Sequence, residues 1–215
     1  MTDQAPQKRR HRKPDLSAEK IAVEAMALVD EGGLDALSFR ALGKRLGCEA
    51  MSLYHYYPSK QHLIDALVNI CIAETPVPGP DFPSRARMTE FCLRYRATVL
   101  RHPGFAPVLT THRLNHREGL AWLEAGLGIL SDLHVGYDRK ARFFRVLSYY
   151  LTGAVLDEAL GYAKGPSAAD PVPGEEYARD FPEILGVGAY FGPENHLDFF
   201  LTGLNVLLDW IERES

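Results

Sequence analysis

The 215 residues include 24 Lys/Arg and 28 Asp/Glu, a net charge of −4 at pH 7, with 46% hydrophobic and 24% charged residues. That composition excludes wholesale disorder, and the length permits one to two domains whose cores need no disulfide or metal. The overall balance argues against a protein that coats nucleic acid or anionic membrane, yet residues 1–60 hold 10 Lys/Arg against 8 Asp/Glu, a net +2, and residues 61–215 hold 14 against 20, a net −6. A basic front joined to an acidic rear points to two jobs on one chain.

At the front, Lys8, Arg9, Arg10, Arg12 and Lys13 form a cationic run that reads either as a solubilising tail or as an arm for a polyanion. Cys48, Cys71 and Cys92 are odd in number and lack C-x-x-C spacing, so they match neither a disulfide framework nor a zinc site and fit a reducing compartment. No apolar h-region opens the chain, and the longest apolar stretch, Leu197 to Ile211, is interrupted by Asp198 and Asp209 and is too short to span a bilayer. The expectation is a soluble cytoplasmic protein with no membrane contact.

The pattern predicts helices almost throughout. Ser17 is an N-cap with Leu16 and Ile21 as a hydrophobic staple, and Ile21, Ala25, Leu28 and Val29 recur at helical spacing until Gly32-Gly33. Ser38 repeats the device with Leu37 and Leu42, opening a short helix that stops at Gly47. A third helix is predicted over Glu49–Tyr57, ended by Pro58, and Ser59 caps a fourth with Leu63, Ile64, Leu67, Val68 and Cys71 on one stripe. Pro76, Pro78, Gly79, Pro80 and Pro83 then make a linker that cannot be helical. Further helices are expected near 84–102, 104–114, 117–133, 139–163 and 194–213, with a weak one around 175–185 after the Gly/Pro-rich interval 161–174. No run alternates with period 2, so the fold class is all-α.

Two short helices joined at Gly47, which lacks the Cβ penalty at positive φ, make a helix-turn-helix arrangement. On the second helix, Leu53 and Tyr57 share an inward face. One hundred degrees per residue then points Met51 and His55 outward with Ser52 and Tyr54 on the flanks. Such groups suit base edges and phosphates in a major groove, Met51 for instance meeting a thymine methyl; a protein-packing helix is the competing reading.

The segment Ser38-Phe-Arg-Ala-Leu-Gly-Lys-Arg-Leu-Gly-Cys-Glu-Ala-Met-Ser-Leu-Tyr-His-Tyr-Tyr-Pro-Ser-Lys60, followed by Leu63-Ile-Asp-Ala-Leu67, resembles the DNA-binding domain of the tetracycline-repressor (TetR) family over about residues 15–68. The sequence departs from the family at Tyr56 and Tyr57, where His-Phe is usual, and at Glu49, where a small N-cap is usual. The resemblance implies a basic arm (1–14), a three-helix helix-turn-helix domain (15–73) and a helical ligand-binding and dimerisation domain (74–215). It also implies that Ser38 and Arg40 contact phosphate and that Ala50, Met51, Ser52, Tyr54, His55 and Tyr56 face the groove. Lys60, in the first turn of the fourth helix, would also favour a phosphate. The partner would be double-stranded operator DNA, with the arm following the minor groove or tracking phosphates.

In the rear, helix 139–163 is apolar nearly all round. The last helix carries Leu197, Phe200, Leu201, Leu204, Leu208 and Ile211 on one stripe and Phe199, Val206 and Trp210 on another. Two apolar faces on the last helix need two partners, its own core and a second subunit, with complete burial inside a monomer as the competing reading. A two-fold dimer also supplies the symmetry of paired half-sites, and the resemblance implies that helices 139–163 and 194–213 form the homodimer contact. The intervening helices carry Phe91, Tyr95, His102, His112, Arg113, His116, Tyr149 and Tyr150, material for a small-molecule site. His112 and His116 are four apart, but no carboxylate or Cys completes a metal site, so no cofactor or metal is expected. His102–Arg113 and Leu151–Asp157 further resemble the ligand-binding core of the tetracycline repressors. There Leu109 stands at the position of the metal-chelating histidine, Pro76 near that of another pocket histidine, and Asp157 keeps an acidic position. This argues against magnesium–tetracycline chelation and for an aromatic or lipophilic inducer.

No G-x-S-x-G, H-E-x-x-H or P-loop is present, and Gly186-x-Gly188 lies in no strand–turn–helix context, so an enzyme is not expected. The expected function is a ligand-responsive DNA-binding regulator, a repressor released by a small molecule. The alternative is a ligand-binding or interaction protein without DNA binding, which Arg40, Lys60 and the basic arm count against.

Overall fold

The computed structural model describes residues 16–161 and 168–215, and among them no strand forms. The order is α1 (Ala18–Gly32), a 3-10 turn at Leu34–Ala36, α2 (Phe39–Leu46), α3 (Ala50–Leu53) and α4 (Lys60–Ala73). There follow α5 (Ser84–Arg101), α6 (Ala106–Thr111), α7 (Arg117–Ser131), α8 (Tyr137–Leu160), α9 (Gly174–Asp180), α10 (Pro182–Gly188), a 3-10 turn at Pro193–Asn195 and α11 (His196–Glu214). The chain divides into two compact units between Val68 and Asn69, within α4. The arm residues Lys8, Arg9, Arg10, Arg12 and Lys13 lie outside the described residues, as do residues 162 and 163 at the end of the expected 139–163 helix.

In the first unit, Ser17 Oγ accepts from Lys20 N (3.2 Å) and Ser38 Oγ from Ala41 N (3.1 Å), so both N-caps satisfy helix N–H groups that would otherwise lack partners. Ile21, Ala25, Val29, Leu37, Leu42, Leu53, Leu63 and Leu67 form the buried core. Arg45 bonds both Glu24 and Glu31 at 2.7 Å, fastening α2 to α1. The helix expected over Glu49–Tyr57 is shorter. Tyr56 and Tyr57 N–H both donate to Leu53 O (3.0 Å each), which tightens the chain into a turn after Leu53.

The second unit buries Met88, Phe91, Cys92 and Val99 of α5, Ile129 and Leu130 of α7, Phe143, Leu147 and Val155 of α8, and Phe200, Leu204, Leu208 and Ile211 of α11 in one core. Trp210, read above with the outer stripe of the last helix, sits edge-on to Phe143 (ring centroids 5.2 Å, 87°) and belongs to this core, whereas Leu197 is exposed. Arg96 of α5 pairs with the largely buried Glu158 of α8 while its guanidinium stands 5.6 Å from the Phe200 ring, a tie between three helices. The single weak helix expected near 175–185 is two helices. Pro182 cannot donate an N–H and keeps Phe181 out of helical geometry (φ −129°, ψ 51°), so α9 ends there and α10 begins. Helix 104–114 shortens to α6, and Gly161 ends α8 at φ 77°. Among the described residues no helix is long and apolar enough to cross a membrane.

Candidate functional site

The helix-turn-helix owes its tightness to two glycines. Gly47 takes the left-handed conformation (φ 67°, ψ 33°), and Cys48 N–H returns to Gly43 O at 2.9 Å, closing α2. At Gly43 a Cβ would stand 2.8 Å from Cys48 O and 3.2 Å from Ala50 N, so only a hydrogen lets the backbone entering α3 pass this close to α2.

That approach leaves one side of α3 open. Met51 is 72% exposed and His55 is exposed beside it, while Ala50 and Ser52 are half-buried. Leu53, on the opposite side, is fully buried. Tyr54 is held by its ring against Phe39 (centroids 4.4 Å), a contact the sequence pattern did not single out. Tyr56 is exposed at its ring, but its hydroxyl donates to Leu16 O at 2.9 Å, and Tyr57 does the same to Ala18 O at 2.9 Å. The two tyrosines that depart from the usual His-Phe therefore pin the entry to α1 with their hydroxyls.

The cations are sorted by their partners. Arg45 is taken up by Glu24 and Glu31, whereas Arg40 and Lys44 are exposed with no ion pair among the described residues. Lys60 Nζ donates a long bond to Leu34 O (3.4 Å) from the first turn of α4. Ser59 Oγ sits 2.8 Å from His62 Nδ1. Ser38 is exposed and already engaged as a cap, and Glu49 precedes α3 without a side-chain cap bond. Ser38→Ala is expected to cost about 1 kcal/mol of stability through the lost cap; a thermal or urea melt beside a DNA titration separates that cost from any lost phosphate contact.

In the second unit a cavity of about 250 Å³ opens between the last turn of α4, α5, α6, α7 and α8. Of the ligand candidates, Phe91, Tyr95, Leu109 and His112 line it together. Arg113, Tyr149, Tyr150 and Asp157 do not. Arg113 is exposed on the segment after α6, and Asp157 is exposed on α8. Tyr149 points to solvent under Arg145 (guanidinium 5.7 Å from its ring), and Tyr150 donates to Phe200 O at 2.6 Å, between α8 and α11. The face of α8 that meets the cavity is Leu147, Ser148, Leu151 and Thr152, about a third of a turn from Tyr149 and Tyr150.

Trp122 was not among the candidates, although it is one of two tryptophans in the chain. Its indole N–H donates to Thr75 O at 2.8 Å, which fixes the ring 5.0 Å from Phe91 and 6.2 Å from Tyr95 as an aromatic wall. Burial pushes the Tyr95 hydroxyl and the Cys92 thiol each up to about 12, so both stay neutral. His112 and His116 share no helix: α6 stops at Thr111, and His116 precedes α7 with its Nε2 bonded to Asn69. His102 faces Glu74 at 3.2 Å. Among the described residues no group of His, Cys, Asp and Glu is placed to hold a metal ion.

Comparison with known proteins covers both units. Residues 21–67 match the family model described as "Bacterial regulatory proteins, tetR family", and residues 78–214 match "Tetracyclin repressor-like, C-terminal domain". An HTH-type transcriptional regulator of Saccharopolyspora erythraea is 30% identical over 156 residues, 72% of this chain and 66% of the relative, so the chain spans just under two thirds of that protein. The HTH-type transcriptional repressor DrrR1 of Streptomyces coeruleorubidus is 24% identical over 216 residues, covering 93% of this chain and 78% of the relative. Among solved structures, a possible TetR family transcriptional regulator from Streptomyces coelicolor A3(2) superposes with a TM-score of 0.75 at 22% identity, over 93% of this chain and 100% of that one. The Streptomyces coelicolor protein ActR, solved in complex with actinorhodin, superposes with a TM-score of 0.73 at 23% identity, over 94% and 97%.

Proposed function

The chain belongs to the TetR family of bacterial regulatory proteins, and on that premise we propose that it is a homodimeric repressor whose first unit reads operator DNA and whose second unit binds a small molecule that weakens that reading. The observation that carries this reading is the presence, on one chain, of an open α3 face beside unpaired cations and of a mostly apolar cavity with a few polar groups. Met51, Ser52 and His55 meet base edges; Ser38, Arg40, Tyr54 and Lys60 meet the sugar–phosphate backbone, with Ala50 and Tyr56 at the rim of the groove. The protein acts in the cytoplasm, where the operator is, and the relatives named above are regulators, not enzymes.

Helices α8 and α11 supply the dimer contact. Packed against each other, they leave outside Leu160 (55% exposed), Phe199 (47%) and Val206 (60%), an apolar face with no partner among the described residues. Two copies related by a two-fold axis cover it and present two recognition helices to two half-sites. Helix α4 carries the coupling. Its first half packs Leu63 and Leu67 into the core of the first unit, and its last turn gives Cys71 and Ile72 to the cavity wall. A ligand that fits one setting of that turn better than another shifts the operator equilibrium by that difference in affinity.

A titration against random duplex DNA at two salt concentrations tests the DNA reading. Affinity is expected to fall steeply as salt rises, and Arg40→Ala to lower the slope of log K against log salt by roughly 0.9 for one lost phosphate contact. A flat salt response overturns the DNA-binding assignment in favour of a ligand-binding protein alone.

A further inference from the structure

The cavity is polarised in both depth and charge. At its deep end stand Phe91, Cys92 and Leu147, all buried, with the Trp122 ring fixed beside them. At its solvent edge stands Arg145, exposed although it belongs to the lining. Not one Asp or Glu lines the space, and the one permanently charged side chain of the lining is Arg145. Arg145 makes no ion pair with a described residue; it belongs to the lining at an exposed position, and its guanidinium rests over the Tyr149 ring, 5.7 Å from the centroid. Ser148, one turn further along the same face, has its hydroxyl bonded to Arg145 O at 2.8 Å and keeps its oxygen lone pairs.

Resting on the reading of this cavity as the inducer site, we infer that its ligand is a planar aromatic acid, with the rings against Phe91 and Trp122 and the carboxylate or ionised phenol held by Arg145. A guanidinium fork matches a carboxylate with two parallel hydrogen bonds, and a cation in the same place meets a like charge with no compensating acid. The space of about 250 Å³ suits a body of two or three fused rings, and the neutral tyrosine and thiol of the interior leave the anion's charge to be met at the mouth alone.

Isothermal titration calorimetry on the full chain with three probes of one shape tests this: naphthalene-2-carboxylate, naphthalene-2-carboxamide and 2-naphthylmethylammonium. The carboxylate is expected to bind on the order of tenfold more tightly than the carboxamide, with the ammonium weakest, because a charge-assisted pair outweighs a neutral one. Arg145→Gln, at an exposed position, is expected to erase the preference for the carboxylate while leaving carboxamide binding and the melting curve in place. If carboxylate and carboxamide bind equally in the parent protein, or Arg145→Gln leaves the preference intact, the acid inference is overturned and the ligand site stands. If none of the three binds up to its solubility limit while bulky Leu147→Trp also leaves an operator-release screen unchanged, the cavity is not the inducer site, and both readings fall.

Discussion

Gly43→Ala is expected to abolish operator binding. The added methyl stands 2.8 Å from Cys48 O and 3.2 Å from Ala50 N. Both are backbone atoms of the turn and of the first residue of α3, so no side-chain rotation relieves the clash. Either α2 lifts from the turn or α3 moves outward, and in both cases Met51 and His55 leave the positions from which we propose that they read base edges. Overpacking of this kind costs about 1–3 kcal/mol of stability. Losing the base contacts costs roughly a further 1–3 kcal/mol of binding for each good one, so specific binding falls into the non-specific range. Fluorescence anisotropy on a duplex selected by the parent protein, beside a thermal melt, reads both effects. A variant that melts a few degrees lower and binds normally would show that α3 is not held in place by this close approach.

Val206→Arg is the second large effect, and its signature is the reverse. Val206 is 60% exposed on α11 and faces away from the Phe200–Leu204–Leu208–Ile211 core, so the isolated chain should change stability by within about 0.5 kcal/mol. In the dimer the same position brings an unpaired guanidinium into an apolar contact beside its symmetry copy, which costs several kcal/mol, on the order of the penalty for an uncompensated buried charge. The expected result is a folded monomer by sedimentation with operator affinity reduced by roughly a hundredfold or more, since one recognition helix then replaces two. Phe199→Asp should behave alike. A dimer that survives both substitutions places the subunit contact elsewhere than on the outer faces of α8 and α11.

Much of the fold was legible along the chain because it is written in local chemistry. Ser17 and Ser38 make the cap bonds that their positions before apolar runs implied, and the prolines after Glu74 fall between α4 and α5. The outward set Met51 and His55 followed from one hundred degrees per residue measured from Leu53, and the structure exposes both. Where local rules were pushed one step further they misled. Tyr54–Tyr57 continue the apolar period of α3, yet the amides of Tyr56 and Tyr57 close on Leu53 O and end the helix. Tyr149 and Tyr150 carry aromatic rings suited to a ligand, yet one faces solvent and the other spends its hydroxyl on α11. Composition of a helix does not say which neighbour each of its faces meets.

The sequence by itself determined that this chain is helical, that its front holds a helix-turn-helix in a basic segment and that its rear has more apolar faces than one chain can cover. Those properties rest on spacing within single elements, and spacing is visible in one dimension. Only the tertiary structure decided why Gly43 must be a glycine and how Arg45 is withdrawn from the surface cations by Glu24 and Glu31. It also decided that Trp122 and Arg145, rather than Arg113 and Asp157, stand at the cavity. Each of these depends on the distance between groups far apart along the chain. That distance is set by how helices pack, which no periodicity within a single helix contains.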